Sequence, residues 1–231
     1  MDTQNKSEGL LVESAGMGRL SFLKYAGLSV VGSTLLLQAC KKDDDDPMAI
    51  NLGSGDTGIL NYAYALEQLE AAFYTQVVQN EYSSMTTTER DILNDIQKHE
   101  VAHREFFKAA LGSAAIPALE VDFSSIDFNS RSSVLNTAKA FEDLGVGAYN
   151  GAGKLIVTAD YLVLAGKIVS VEARHAAAIR SLLSPGTASF AGDDIVTAST
   201  GLDSAKTPSE VLAVAKSYLK STLSASNLPT S

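Results

Sequence analysis

Glu172 and His175 stand three residues apart in the stretch EARHAAAIR. On a helix that spacing turns the chain by about 300°, so both side chains leave one face, one turn apart. Ala165, Ile168, Ile179 and Leu182 continue the 3–4 spacing on either side, which sets a carboxylate and an imidazole in the middle of an apolar stripe. Ionisable groups on a buried face must be paired, neutral or metal-bound. A single pair fits a salt-bridged core as well as a ligand pair, so the partners elsewhere in the chain decide its meaning.

Those partners exist. Glu100 and His103 repeat the Glu-x-x-His spacing on an apolar stripe of their own, Leu93, Ile96, Phe107 and Ala110. Two further stripes each carry a Glu followed seven residues later by a Tyr, Glu67 with Tyr74 and Glu142 with Tyr149. The chain separation from Glu67 to Glu100 is close to that from Glu142 to Glu172, so the pattern is an internal repeat. In a four-helix bundle these faces meet, giving four carboxylates and two imidazoles around one point, the set used for carboxylate-bridged pairs of metal ions. Four carboxylates in a dry core repel one another strongly unless cations neutralise them. Two divalent ions balance their charge, and oxygen ligands with one imidazole per ion suit Fe or Mn better than Cu or structural Zn. In that arrangement Glu67 and Glu142 each cap one ion, Glu100 and Glu172 bridge, and His103 and His175 complete one ion apiece. A metal-free bundle with protonated, hydrogen-bonded carboxylates is the plain alternative.

Other residues are assigned around this set. Glu70 also faces inward and could replace Glu67 or support it from behind; the symmetry with Glu142 favours Glu67. Tyr74 and Tyr149 could donate to ligand carboxylates, supply an electron, or simply fill core. His99 points about 100° away from Glu100 and reads as a surface residue. Arg174 and Arg180 read as ion-pair residues at the rim.

The elements that must position these side chains are helical. A first helix is expected from about Thr57 to Asn80. A second is started by the Thr86–Glu89 capping box and stopped at Gly112. Residues 112–131 lack helical periodicity and serve as the long crossover a bundle of this kind requires. The third helix begins near Ser132 and weakens at Gly151 and Gly153. The fourth runs from about Ala159 to Leu183, before Ser184-Pro185-Gly186. A short amphipathic helix capped at Thr207-Pro208-Ser209-Glu210 is expected to run to about Leu223 outside the bundle. No strand is expected from Asp56 onward.

The net charge of −9 argues against nucleic-acid binding. Arg19 and Lys24, an apolar run from Tyr25 to Ala39 and then Leu37-Gln38-Ala39-Cys40 resemble a bacterial lipoprotein signal, with Cys40 as the lipid-bearing residue. Gln38 departs from the usual small residue there. Gly18 to Lys24 also looks like a twin-arginine export signal with only one of its arginines. The expected organisation is a signal over 1–40, an acidic tether over 41–55, a bundle over 56–184 and a C-terminal extension over 185–231. The protein is thus expected to be exported and membrane-anchored through lipid at Cys40. Cys40 is the only cysteine, so neither an intrachain disulfide nor a rubredoxin or iron–sulfur site can be built.

EARHAAAIR, GVGAYNGAG and LEQLEAAFY together resemble the ferritin-like family that includes the desiccation-related proteins. The resemblance covers about Asp56 to Ser184. It implies an all-α ferritin-like four-helix bundle, often exported, with the metal set carried by Glu67, Glu100, His103, Glu142, Glu172 and His175 and none missing. Related branches include ferroxidases, rubrerythrins and manganese catalases, so redox chemistry on O2 or peroxide with two Fe or Mn ions in stress protection is the implied activity. The alternative is a non-catalytic metal-binding or structural stress-protection module. A homodimer is compatible with this reading.

Overall fold

A computed structural model of the chain describes residues 48–230. The signal, Cys40 and most of the tether lie outside the described residues. Four long helices form the body: α1 (Gly55–Gln79), α2 (Thr87–Leu111), α3 (Arg131–Gly153) and α4 (Ala159–Leu183). Helix α1 packs along α2 and α3 along α4, and the two hairpins close on each other into a four-helix bundle. A fifth helix, α5 (Pro208–Ala215), lies against α3. The all-α expectation holds.

The local signals act as the sequence implies. Thr86 and Glu89 form a complete capping box at the start of α2, and Gly112 ends it with φ of 55°. Helix α4 occupies the expected span. At its start the Asp56 carboxylate accepts from the backbone N–H groups of Val157 and Thr158, both at 2.8 Å, tying the loop before α4 to the first turn of α1.

The crossover is held by two buried amides on α1. Asn61 donates to the carbonyls of Leu52 and Ala114 and accepts from Ile116 N–H, while Gln68 donates to Pro117 O and accepts from Leu119 N–H. Both satisfy backbone groups that an irregular segment lying on a core would otherwise leave unpaired. Phe123 and Phe128 of the crossover then pack on Phe73, which also meets Phe141 edge-on.

Three details differ from expectation. The last helix ends at Ala215 with a single 3-10 turn, Lys216–Tyr218, because Leu219 turns extended and bridges Val121. Short strands do form: β1 (Ile50–Asn51) pairs in parallel with β4 (Leu223–Ser224), and β2 (Val196–Thr197) pairs with β3 (Leu202–Asp203). With Leu52 fully buried, the segment from Ile50 onward belongs to the folded body although it was expected in the tether. Helix α3 ends at Gly153, where its glycines were expected to weaken it. A Cβ on Gly151 would stand 1.7 Å from the carbonyl oxygen of Lys206, so glycine there lets the C-terminal extension lie directly on the helix.

Candidate metal centre

All six expected ligands meet mid-bundle, one Glu from each of α1 and α3 and a Glu-x-x-His from each of α2 and α4. Glu67, Glu100, Glu142 and Glu172 have no exposed surface, and His175 is 4% exposed. Two groups of donor atoms result, Glu67–Glu100–His103–Glu172 and Glu100–Glu142–Glu172–His175, and within each the atoms lie within 4.8 Å of one another. Glu100 and Glu172 belong to both. Each sends one oxygen to each half: Oε2 of Glu100 is 3.5 Å from His103 Nδ1 while its Oε1 is 2.8 Å from His175 Nδ1. Glu172 mirrors this, with Oε1 at 3.0 Å from His103 and Oε2 at 3.7 Å from His175. Each shared carboxylate thus offers one oxygen to each half.

The angles matter as much as the distances. Both Nδ1 atoms and most of the surrounding carboxylate oxygens are buried, yet none of these close approaches has hydrogen-bond geometry. The lone pairs converge on common points instead of pairing off donor to acceptor. Buried polar atoms left this way are rare and call for an explanation, and a cation between them supplies one. These residues fit such a group: the donors are hard carboxylate oxygens with one imidazole nitrogen per half.

Without a cation the cluster shares protons. Burial alone would push His103 and His175 down, but the carboxylates crowding each drive both up to about 12. Burial would raise Glu100, yet His103 and His175 hold it at about 2. Glu142 goes up to about 8, through burial and the charges of Glu100 and Glu172 against the pull of His175. Glu67 is raised well above the usual carboxylate range by burial and Glu172.

The other oxygen of each capping carboxylate, by contrast, is satisfied. Tyr74 Oη donates to Glu142 Oε1 at 2.5 Å, and Tyr149 Oη donates a short hydrogen bond to Glu67 Oε1. Each tyrosine therefore serves the glutamate of the opposite hairpin, not the one seven residues before it. Glu67, not Glu70, stands among the donor groups. Glu70 is 4% exposed beside them, raised by burial and by Glu172, Glu100 and Glu142. Under the repeat that maps Glu67 onto Glu142, Glu70 maps onto Gly145. A Cβ on Gly145 would meet Glu70 Oε1 at 3.1 Å, so the fifth carboxylate occupies space its counterpart leaves empty.

His99 is the correction. Its ring is solvent-accessible, as expected, but Nδ1 lies 3.0 Å from Nε2 of His175. The sequence held the signal: His99 is about 100° from Glu100 around the helix, yet only about 40° from His103, four residues on. Measured against the histidine, it faces the site. Arg180 forms ion pairs as expected, with Asp143 and Asp194 at 2.7 and 2.8 Å, but from a buried position. Between the site and the bundle end where α1 begins lies a small, partly open apolar cavity, lined among others by Tyr62, Leu66, Phe107, Tyr149 and Ile168.

Among curated proteins none matches the chain. Residues 55–185, which span the four long helices and every candidate ligand above, match the model of the ferritin-like domain, and the chain belongs to that family.

Proposed function

We propose that the chain is a ferritin-like dimetal-carboxylate protein that carries out redox chemistry on O2 or peroxide, as Fe(II) oxidation or catalase-like turnover in stress protection. The observation that carries this reading is the pair of donor groups sharing Glu100 and Glu172, each with its own capping Glu and its own imidazole. Two Fe or Mn ions held there would supply one-electron redox chemistry toward an oxygen substrate. Glu67 with His103 and Glu142 with His175 would hold one ion each, and the two shared carboxylates would fix their separation.

The protein's own groups set the conditions. The bundle excludes water from the carboxylates, which strengthens every charge interaction at the centre. Tyr74 and Tyr149 orient the capping carboxylates and keep a phenol beside each, available as a source of an electron. The cavity that reaches Tyr149 is apolar, which suits entry of dioxygen. Residues 19–40 support export with a lipid anchor at Cys40, which would hold the bundle at a membrane surface. None of the helices among the described residues is long and apolar enough to cross a membrane itself.

The test is turnover. The full chain loaded anaerobically with Fe(II) or Mn(II) should consume O2 or decompose H2O2 faster than the same ion free in buffer. Bound metal with no consumption of either would make the site a holding or structural one.

A further inference from the structure

We propose that His99 makes the two metal positions unequal, so that the half built on Glu142 and His175 takes its ion first and holds it more tightly. This rests on the dimetal reading above and concerns the order and strength of loading. The internal repeat would otherwise make the halves equivalent. Each has one capping Glu, one imidazole, the same two bridging carboxylates and one tyrosine donating to its cap. Glu70 breaks the repeat too, but the two charges it feels most, those of Glu172 and Glu100, are shared by both halves, and only after them does Glu142 weigh on it more than Glu67.

His99 acts on one half only. Its ring and that of His175 are nearly parallel, 9° apart, with centroids at 5.2 Å and the facing nitrogens at 3.0 Å. The centroid separation is close to the N–N distance plus the reach of each ring, so the rings lie edge to edge in one plane. That is an in-line N–H to N hydrogen bond, not a stack. An ion at Nδ1 of His175 needs that lone pair, so the ring proton sits on Nε2 and donates to Nδ1 of His99. A hydrogen bond of this kind fixes the ligand ring's orientation and raises the basicity of its metal-binding nitrogen. The repeat that maps His103 onto His175 maps His99 onto Val171, whose side chain can neither donate nor accept. Among the described residues, no hydrogen bond holds the far nitrogen of His103. The His175 side chain is also the more deeply buried of the two, 5% exposed against 13%.

The test titrates metal-free full chain with Mn(II) anaerobically, by calorimetry and by electron paramagnetic resonance. The wild type should bind in two steps, with a mononuclear Mn(II) signal at one equivalent. In His99→Ala the tight step should weaken roughly 10–100-fold while the second stays put. His99→Gln, whose amide oxygen can accept from Nε2–H, should restore most of it. His103→Ala should keep the tight step and His175→Ala should lose it, a comparison that decides the matter even where a His99 variant loses its helical circular dichroism. Two equal sites in the wild type, an unchanged isotherm in His99→Ala, or loss of the tight step in His103→Ala would overturn the proposal. No Mn(II) bound by the wild type would overturn the dimetal reading along with it.

Discussion

The hydroxyl of Tyr74 on α1 donates to Glu142 Oε1 on α3 at 2.5 Å, and Tyr149 on α3 donates back to Glu67 on α1. The two hairpins are thus stapled across the centre by a reciprocal pair of hydrogen bonds to the capping carboxylates. Each tyrosine is buried, and its ionisation is pushed far up by burial and by the carboxylate it serves. It stays a donor throughout the physiological range.

Removing either hydroxyl leaves a buried carboxylate oxygen without its partner. Tyr74→Phe and Tyr149→Phe should each cost about 1.5–3 kcal/mol, a fall in Tm of roughly 3–12 °C. Differential scanning calorimetry on each variant checks this. Unchanged melting would mean that the hydroxyls serve only as packing.

The metal-free protein should lose stability as pH rises. His103 and His175 are protonated up to about 12 when folded but only to about 6.5 when unfolded, so the folded state binds more protons between those values. Their contribution is complete below the unfolded value and is lost as pH climbs. Glu142, raised to about 8 from 4.5, acts in the same direction over its own window. Thermal melts of metal-free protein from about pH 5 to about pH 9 should show Tm falling. Metal must displace these protons, so its affinity should rise over the same range. A metal-free Tm that rises with pH would contradict the proton-sharing cluster.

Gly151 tests the attachment of the C-terminal extension. A Cβ there would overlap the Lys206 carbonyl, while Lys206 N–H donates to Gly147 O at 2.8 Å. Gly151→Ala should force the extension off α3 at a cost of about 1–3 kcal/mol. Faster limited proteolysis between residues 185 and 231, with metal content retained, is the expected result. Wild-type resistance to protease would show that the segment gives way without loss.

Much of this was legible in the sequence because the bundle leaves its period on every stripe. The Glu-x-x-His pairs and the Glu–Tyr pairs fall at helical spacing on apolar faces, and capping boxes mark where α2 and α5 begin. What escaped depended on contacts between helices. Which glutamate each tyrosine would serve is set by how the hairpins cross, and seven-residue spacing within one helix cannot say. His99 points away from its neighbour Glu100, and the contact that counts comes from His175 on α4. Gly151 of α3 looks like a helix breaker, but the backbone of Lys206 lies on it. The strand of Leu223–Ser224 is too short to leave a pattern of its own.

The most direct test of the central claim is metal content. Elemental analysis of the full chain, reconstituted anaerobically beside a Glu100→Ala/Glu172→Ala variant, should find about two Fe or Mn per chain in the wild type and a near-complete loss in the variant. Removing both shared carboxylates takes a ligand from each half at once. No metal in the wild type, or equal metal in both proteins, would contradict the account.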